Sequence, residues 1–237
     1  MTMISIVIPA FNEAERIPKT IGSIRAFFRG RKETFELIVA DDGSTDNTAG
    51  IVEREAAGMP CRVLRSPMNK GKGDAVRRGV LAAQGDFILF CDADLSTPVE
   101  ELDKMLAALQ NGADVAFGSR ALPQSDVQVH QNVLRETMGK TFNLLARLVA
   151  FHGVQDSQCG FKCFRKEPAH VLFSAAKIDG FCFDAEIAYL AQKKGYRLVE
   201  IPVIWRNSPQ SKVHILTDPL RMFLDLLRIR WLHRNDR

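Results

Sequence analysis

At 237 residues the chain can bury a substantial core, and its 46% hydrophobic and 25% charged composition sits at the globular average, which excludes wholesale disorder. A formal net charge of +4, with no dense basic run before the C-terminus, makes no case for a nucleic-acid partner. Five cysteines, an odd number, suit reduced thiols better than a disulfide framework, and Cys159-Gly-Phe-Lys-Cys163 lacks the second Cys/His pair that a structural zinc site requires. Met1 leads into an apolar run and a proline rather than a signal peptide, and no segment reaches the roughly 18 apolar residues of a membrane span. A cytoplasmic chain is expected, one that meets a membrane only peripherally.

The first half alternates regularly. Residues 4–9 are a short, β-branched apolar run, followed by a helical pattern over 14–29. Strand signals recur at 35–40, 61–65, 87–91 and 115–118, and the segments between them, 45–57, 73–84 and 99–109, read as helices. Short strands separated by helices argue for right-handed βαβ units in an α/β, mostly parallel sheet. Strands apolar throughout argue that both of its faces are covered. After Arg120 the rhythm changes. Residues 130–151 form a long amphipathic stretch, a polar loop covers 153–160, and a short strand covers 161–164. Helical patterns follow at 168–176 and 183–193, then a strand at 196–205 and an arginine-rich amphipathic helix at 218–233. With no internal repeat and no low-complexity linker, one domain over 1–237 is the simpler expectation.

In open α/β sheets ligands bind beyond the carboxyl ends of the strands, and here those ends are acidic. The first strand runs into Pro9-Ala10-Phe11-Asn12-Glu13, the second into Asp41-Asp42-Gly43-Ser44, the fourth into Asp92-Ala93-Asp94. Turn and N-cap preferences account for Ser44 to Thr48 but not for two carboxylates at the strand end itself. Asp92 and Asp94, two apart on an extended chain, would share a side and could hold a hard cation completed by phosphate oxygens. Ser96 reads as the cap of the helix that follows. Asn69-Lys70-Gly71-Lys72-Gly73 precedes a helix and could hold phosphate through amides and lysines, or be a solvated glycine loop; it lacks P-loop spacing. Asp184 and Glu186 fit an acidic helix N-terminus, which the helix dipole favours.

Together these residues resemble the family 2 glycosyltransferases of the GT-A, Rossmann-like fold, and among them the dolichyl- and polyprenyl-phosphate sugar transferases. The matching pieces are Val7-Ile-Pro-Ala-Phe-Asn-Glu13, Asp41-Asp-Gly-Ser-Thr-Asp46, Asn69-Lys-Gly-Lys-Gly73, Asp92-Ala-Asp94, Gly118-Ser-Arg120, Asp156-Ser-Gln-Cys-Gly-Phe-Lys162, Phe183-Asp-Ala-Glu186 and Ser211-Lys212. Gln158 to Lys162 look most like the glucosyl branch, whose donor is UDP-glucose; mannosyl relatives use GDP-mannose.

The resemblance implies a nucleotide-sugar-binding half over 1–120 and an acceptor-binding half over 121–237, with no implication for oligomeric state. Pro9, Ala10, Glu13, Asp41 and Asp42 would surround the donor's base and ribose, with Lys72 and Ala93 also on the donor. Asp92 and Asp94 would bind Mg²⁺ or Mn²⁺ and the diphosphate. Ser96 stands where some mannosyl relatives place a glutamine ligand. Arg120 and Arg135 match arginines that hold the acceptor phosphate, and Arg206 and Lys212 match basic residues near the diphosphate. Asp184 lies where relatives with hydroxyl acceptors keep a base. The implied reaction is inverting transfer of a hexose to a lipid phosphate, the alternative being a sugar-hydroxyl acceptor. The amphipathic stretch carrying Arg135 reads most simply as core packing, with a membrane-facing helix as the alternative, and the C-terminal helix suits an interfacial, a partner-docking or a core-capping role.

Overall fold

The computed structural model describes residues 2–129, 133–208 and 218–236. Its centre is a seven-stranded sheet of β1 (Met3–Ala10), β2 (Thr34–Asp41), β3 (Cys61–Arg65), β4 (Phe87–Cys91), β5 (Val115–Ser119), β7 (Phe161–Arg165) and β8 (Leu198–Pro202). The order across the sheet is β3-β2-β1-β4-β7-β5-β8. All neighbours are parallel except β7, which runs against both β4 and β5. A second, two-stranded ribbon pairs β6 (Asp126–Val129) with β9 (Ile204–Arg206).

The apolar strands are covered on both faces, as their composition requires. In β1, Ile4, Ile6 and Ile8 point to one side and pack with Ile17, Ile21 and Ile24 of α1 (Ile17–Phe28). Val7 points to the other and packs with Val76 and Val80 of α3 (Lys72–Ala82). The first face also carries α2 (Thr48–Glu55) and α4 (Leu102–Gln110), the latter entered through a 3-10 turn at Val99–Glu101. The second carries α5 (Val133–Val149), α6 (Lys166–Ala175), α7 (Phe183–Lys193) and α8 (Asp218–Leu232). On α8, Leu226 and Ile229 are fully buried, which settles its inner face as core.

Two expectations change. The run read as one strand over 196–205 is broken at Val203: β8 ends at Pro202, which cannot extend the ladder, and β9 leaves for the small ribbon. Its partner β6 carries polar and exposed residues and gave no strand signal. The chain order places β2 and β3 on one side of β1 and β4 on the other. The carboxyl ends of β1 and β4 therefore flank the point where the winding reverses, and a crevice opens there.

Candidate active site

The loops leaving β1 and β2 are joined by the polar residues that read as caps. Asn12, in the left-handed region at φ 54°, donates its N–H to Ser44 Oγ (2.9 Å), and its Oδ1 accepts the Thr45 N–H (2.8 Å). The Glu13 N–H donates to Thr48 Oγ1 (2.8 Å) and the Ala14 N–H to Asp46 Oδ2 (3.0 Å). This lattice holds Glu13 in place, and Arg16 pairs with its carboxylate through Nε (2.6 Å).

Asp42 organises the glycine-rich loop. Its two oxygens accept the N–H groups of Lys70 (2.9 Å) and Gly71 (2.8 Å). The glycines serve close backbone approach: a Cβ on Gly71 or Gly73 would lie 2.4 Å from the carbonyl oxygen of Asp179 or Ile178. That packing aims Lys72 inward, where its ammonium lies 2.7 Å from Asp92 Oδ1. Burial alone would lower the Lys72 pKa, but the carboxylates of Asp92 and Asp184 raise it, so the side chain stays charged.

Asp92 and Asp94 sit in a turn at the exit of β4 rather than on extended chain. The Leu95 N–H closes the turn onto the Asp92 carbonyl (3.1 Å), with Leu95 at φ 45°, a strained setting for a leucine. Both carboxylates face the crevice nonetheless. Asp94 Oδ2 is 3.6 Å from Arg16, and its Oδ1 accepts the Ser96 N–H (3.0 Å). Ser96 therefore does not cap the following helix, whose N-cap is Pro98; its carbonyl instead accepts the Arg206 N–H (2.8 Å). Gly160, at the start of β7, leaves space for Asp92: a Cβ there would fall 1.9 Å from Asp92 Oδ2.

These groups converge on a cavity of about 590 Å³. Pro9, Ala10, Glu13, Asp42, Lys72, Asp92, Ala93 and Asp94 all line it. So do Arg16, Phe181, Trp205, Arg221 and Asp225, which the sequence reading did not single out; only Arg16, three residues after Glu13 as a paired helix-start arginine, left a signal there. Asp41, 5% exposed, is not among the lining residues; its main-chain carbonyl accepts from the Ser66 N–H and from Arg78. Arg206 is exposed on β9, with Nε donating to Gln128 Oε1 (2.8 Å). Lys212 and the side chain of Arg135 lie outside the described residues.

Two ion pairs stand beside the cavity wall, one half-buried and one fully buried. Arg120 binds Asp156 through Nε (2.7 Å) and one terminal nitrogen (2.8 Å), and stacks over Trp205 at 5.3 Å. Burial would raise the Asp156 pKa, but Arg120 holds it at about 2. Asp184, 3% exposed, lies 2.6 Å from Lys162, itself 1% exposed and set against the Phe90 and Phe117 rings. Burial raises the Asp184 pKa, a shift that Lys162 and Lys72 only partly offset. Asp184 is thus the counter-ion of a buried lysine.

Among the described residues no group of three or more His, Cys, Asp or Glu side chains could hold a metal ion unaided. Two hard carboxylates beside a cavity, one given room by a glycine, fit Mg²⁺ or Mn²⁺ with further positions left for phosphate oxygens and water.

The model of glycosyl transferase family 2 matches residues 5–173. The chain belongs to this family. It is a glycosyltransferase, as the motifs implied. A dolichyl-phosphate beta-glucosyltransferase of Trichomonas vaginalis is 37% identical over 234 residues, covering 94% of this chain and 69% of the relative. The Homo sapiens dolichyl-phosphate beta-glucosyltransferase is 34% identical over 241 residues, covering 96% and 74%. Glucosyl-3-phosphoglycerate synthase of Mycobacterium tuberculosis, solved with Mn²⁺, UDP and glucosyl-3-phosphoglycerate, superposes with a TM-score of 0.72 at 21% identity, covering 97% of this chain and 80% of that one. That likeness is one of fold. The mostly parallel, helix-flanked GT-A sheet expected for the family is the sheet observed.

Proposed function

We propose that this family 2 glycosyltransferase moves a hexose, glucose from UDP-glucose, onto a polyprenyl or dolichyl phosphate with inversion at the anomeric carbon. The observation that carries the reading is the crevice at the sheet's reversal point. There an amide-locked Asp42 loop, Lys72 and the Asp92/Asp94 pair face one cavity. The relatives named as dolichyl-phosphate glucosyltransferases over nearly the whole chain support the acceptor and the sugar. The fold neighbour's complex with UDP and Mn²⁺ supports the donor and the metal.

In this reading Asp92 and Asp94 hold a divalent cation whose charge offsets that developing on the departing diphosphate. Pro9, Ala10, Glu13 and Asp42 line the donor end, and Lys72 faces the phosphates, with Arg206 and Lys212 as further basic residues for them. The acceptor phosphate, with a second pKa near roughly 6, is already largely dianionic at neutral pH and needs positioning more than proton removal. Arg120, oriented by Asp156 behind Trp205, and Arg135 are assigned to that positioning. Asp184, committed to Lys162 inside the wall, supports an acceptor that requires no base. The sugar passes through a state with oxocarbenium character during in-line attack.

No helix among the described residues is long and apolar enough to cross a membrane. A lipid acceptor would be met from the surface, and the outward side of α8 suits that contact: Phe223, Leu224, Leu227 and Trp231 are exposed there, with Arg228, Arg230 and Arg234 beside them. The decisive assay incubates the protein with UDP-glucose or GDP-mannose, a short polyprenyl phosphate and Mn²⁺ or Mg²⁺. Lipid-linked glucose formed from UDP-glucose is the expected product. Absence of a lipid-linked sugar from either donor overturns the proposal.

A further inference from the structure

The end of α8 closes on a buried charge cluster that sugar transfer does not use. Glu186, in the first turn of α7 and 0% exposed, accepts the N–H groups of Lys177 at Oε1 (2.9 Å) and Ile178 at Oε2 (3.0 Å). Its Oε1 also lies 2.6 Å from Nε2 of His233, equally buried. The other ring nitrogen of His233, Nδ1, lies 2.5 Å from Asp236 Oδ2. Ionised carboxylates only accept hydrogen bonds, and a neutral imidazole has one N–H to give. With a carboxylate at each nitrogen, the ring must carry both protons.

The surroundings agree with that charge. From α7, Glu186 and the Tyr189 ring (6.0 Å) face His233, and Lys193 donates to its carbonyl rather than to the ring. From the 176–178 segment, Lys177 reaches the Leu232 carbonyl (2.7 Å) and Asp236 (3.1 Å). Burial would lower the His233 pKa, but Glu186 and Asp236 outweigh it and raise it.

The residues that Glu186 holds continue into the cavity. Asp179 offers its carbonyl to the N–H groups of Gly73 (2.7 Å) and Asp74 (3.2 Å) at the start of α3, next to Lys72. Gly180 and Phe181 are cavity wall. Hydrogen bonds at Glu186 and at the Asp179 carbonyl, joined by the backbone of 177–179, thus link the end of α8 to the start of α3, beside the lysine opposite Asp92.

We propose that His233 is a positioning residue for the donor cavity: as an imidazolium it clamps α8 to Glu186, and through Glu186 it fixes the 177–180 wall and the seat of Lys72. This rests on reading the cavity as the donor site. Because the folded-state pKa is raised, the clamp is complete below the ordinary histidine range and is lost as pH rises through the folded value.

The test is a pH titration of the free protein from about pH 5 to about pH 10, read by NMR at the His233 ring and the Gly73 and Gly180 amides. His233 should titrate above an ordinary histidine, and both amides should follow with the same midpoint. In His233→Gln, which keeps one donor for Glu186 but cannot charge, the amides should not move with that midpoint. Asp236→Asn, on the partly exposed flank, should lower the midpoint while leaving the fold intact. UDP affinity in the presence of Mn²⁺ should weaken roughly threefold to tenfold across the wild-type midpoint, the scale of one hydrogen bond, and stay flat in His233→Gln. A His233 that titrates at or below the ordinary value, or glycine amides indifferent to its charge, overturns the clamp. Amides that follow His233 in a protein that binds UDP at no pH would leave the clamp standing and remove the donor-site reading.

Discussion

A Cβ on Gly160 would lie 1.9 Å from Asp92 Oδ2 and 2.3 Å from its Cγ, so Gly160→Ala must displace that carboxylate. Metal-dependent turnover should fall by about 10–100-fold, the usual cost of disturbing a ligand's support, and a Mn²⁺ titration of the rate would show it as weakened metal dependence. An unchanged titration would remove Asp92 from the metal assignment. The Arg120–Asp156 pair makes a different prediction. Asp156→Asn leaves Arg120, which is partly exposed, without its charge partner and should cost about 1–3 kcal/mol at neutral pH. Asp156 is held at about 2, below its ordinary value, so the pair stabilises the fold above the ordinary carboxylate range and is lost as pH falls toward 2. Urea midpoints of wild type and variant should therefore converge in acid. The acids at the strand ends were legible because nothing in a plain turn asks for them. Gly160, Lys162 and Asp156 were legible only as pieces of a motif, since their work depends on partners dozens of residues away.

Periodicity resolved most elements, since helices and strands over the first 120 residues have distinct apolar spacing. It failed at β6, whose short, largely exposed strand carries no alternating face to read, and it ran β9 into β8 as one strand. The C-terminal helix is the instructive case, because one of its sides is core while the other stays exposed. Leu226 and Ile229 turn inward and are fully buried, whereas Leu224, Leu227 and Trp231 remain 49%, 48% and 59% exposed on the other side. Leu144 and Leu148 of α5 are exposed as well, at 50% and 68%. Sedimentation with anionic vesicles at low and high salt should recover wild type at low salt. Leu227→Asp/Trp231→Asp should lose binding at both salts without losing stability, since neither side chain is in the core. Equal binding by the double variant would end the assignment of this face to lipid.

At the scale of the whole molecule, the proposed donor cavity joins segments separated along the chain, so a ligand that bridges them should stabilise the fold as a unit. UDP with Mn²⁺ at about 100 times its Kd should add about 2.7 kcal/mol, raising Tm by roughly 5–10 °C for a chain of this size. UDP without the cation should add clearly less, and equal shifts would argue against a shared metal site. The parallel core was readable from alternating strands and helices, but the reversed direction of β7 was not, because a five-residue run such as Phe161–Arg165 carries no sign of which way it runs. That reversal has a topological consequence. The excursion between β5 and β7 departs at Ser119 and returns at Phe161 on the same margin of the sheet, beside the ends of β1 and β4. Both of its anchor points are fixed by strand pairing, so this segment can lengthen, shorten or diverge outside β6 without shifting the register of the seven-stranded sheet. On the proposed division of the site, acceptor contacts carried by this segment can therefore vary while the proposed donor contacts at the ends of β1, β2 and β4 stay where they are.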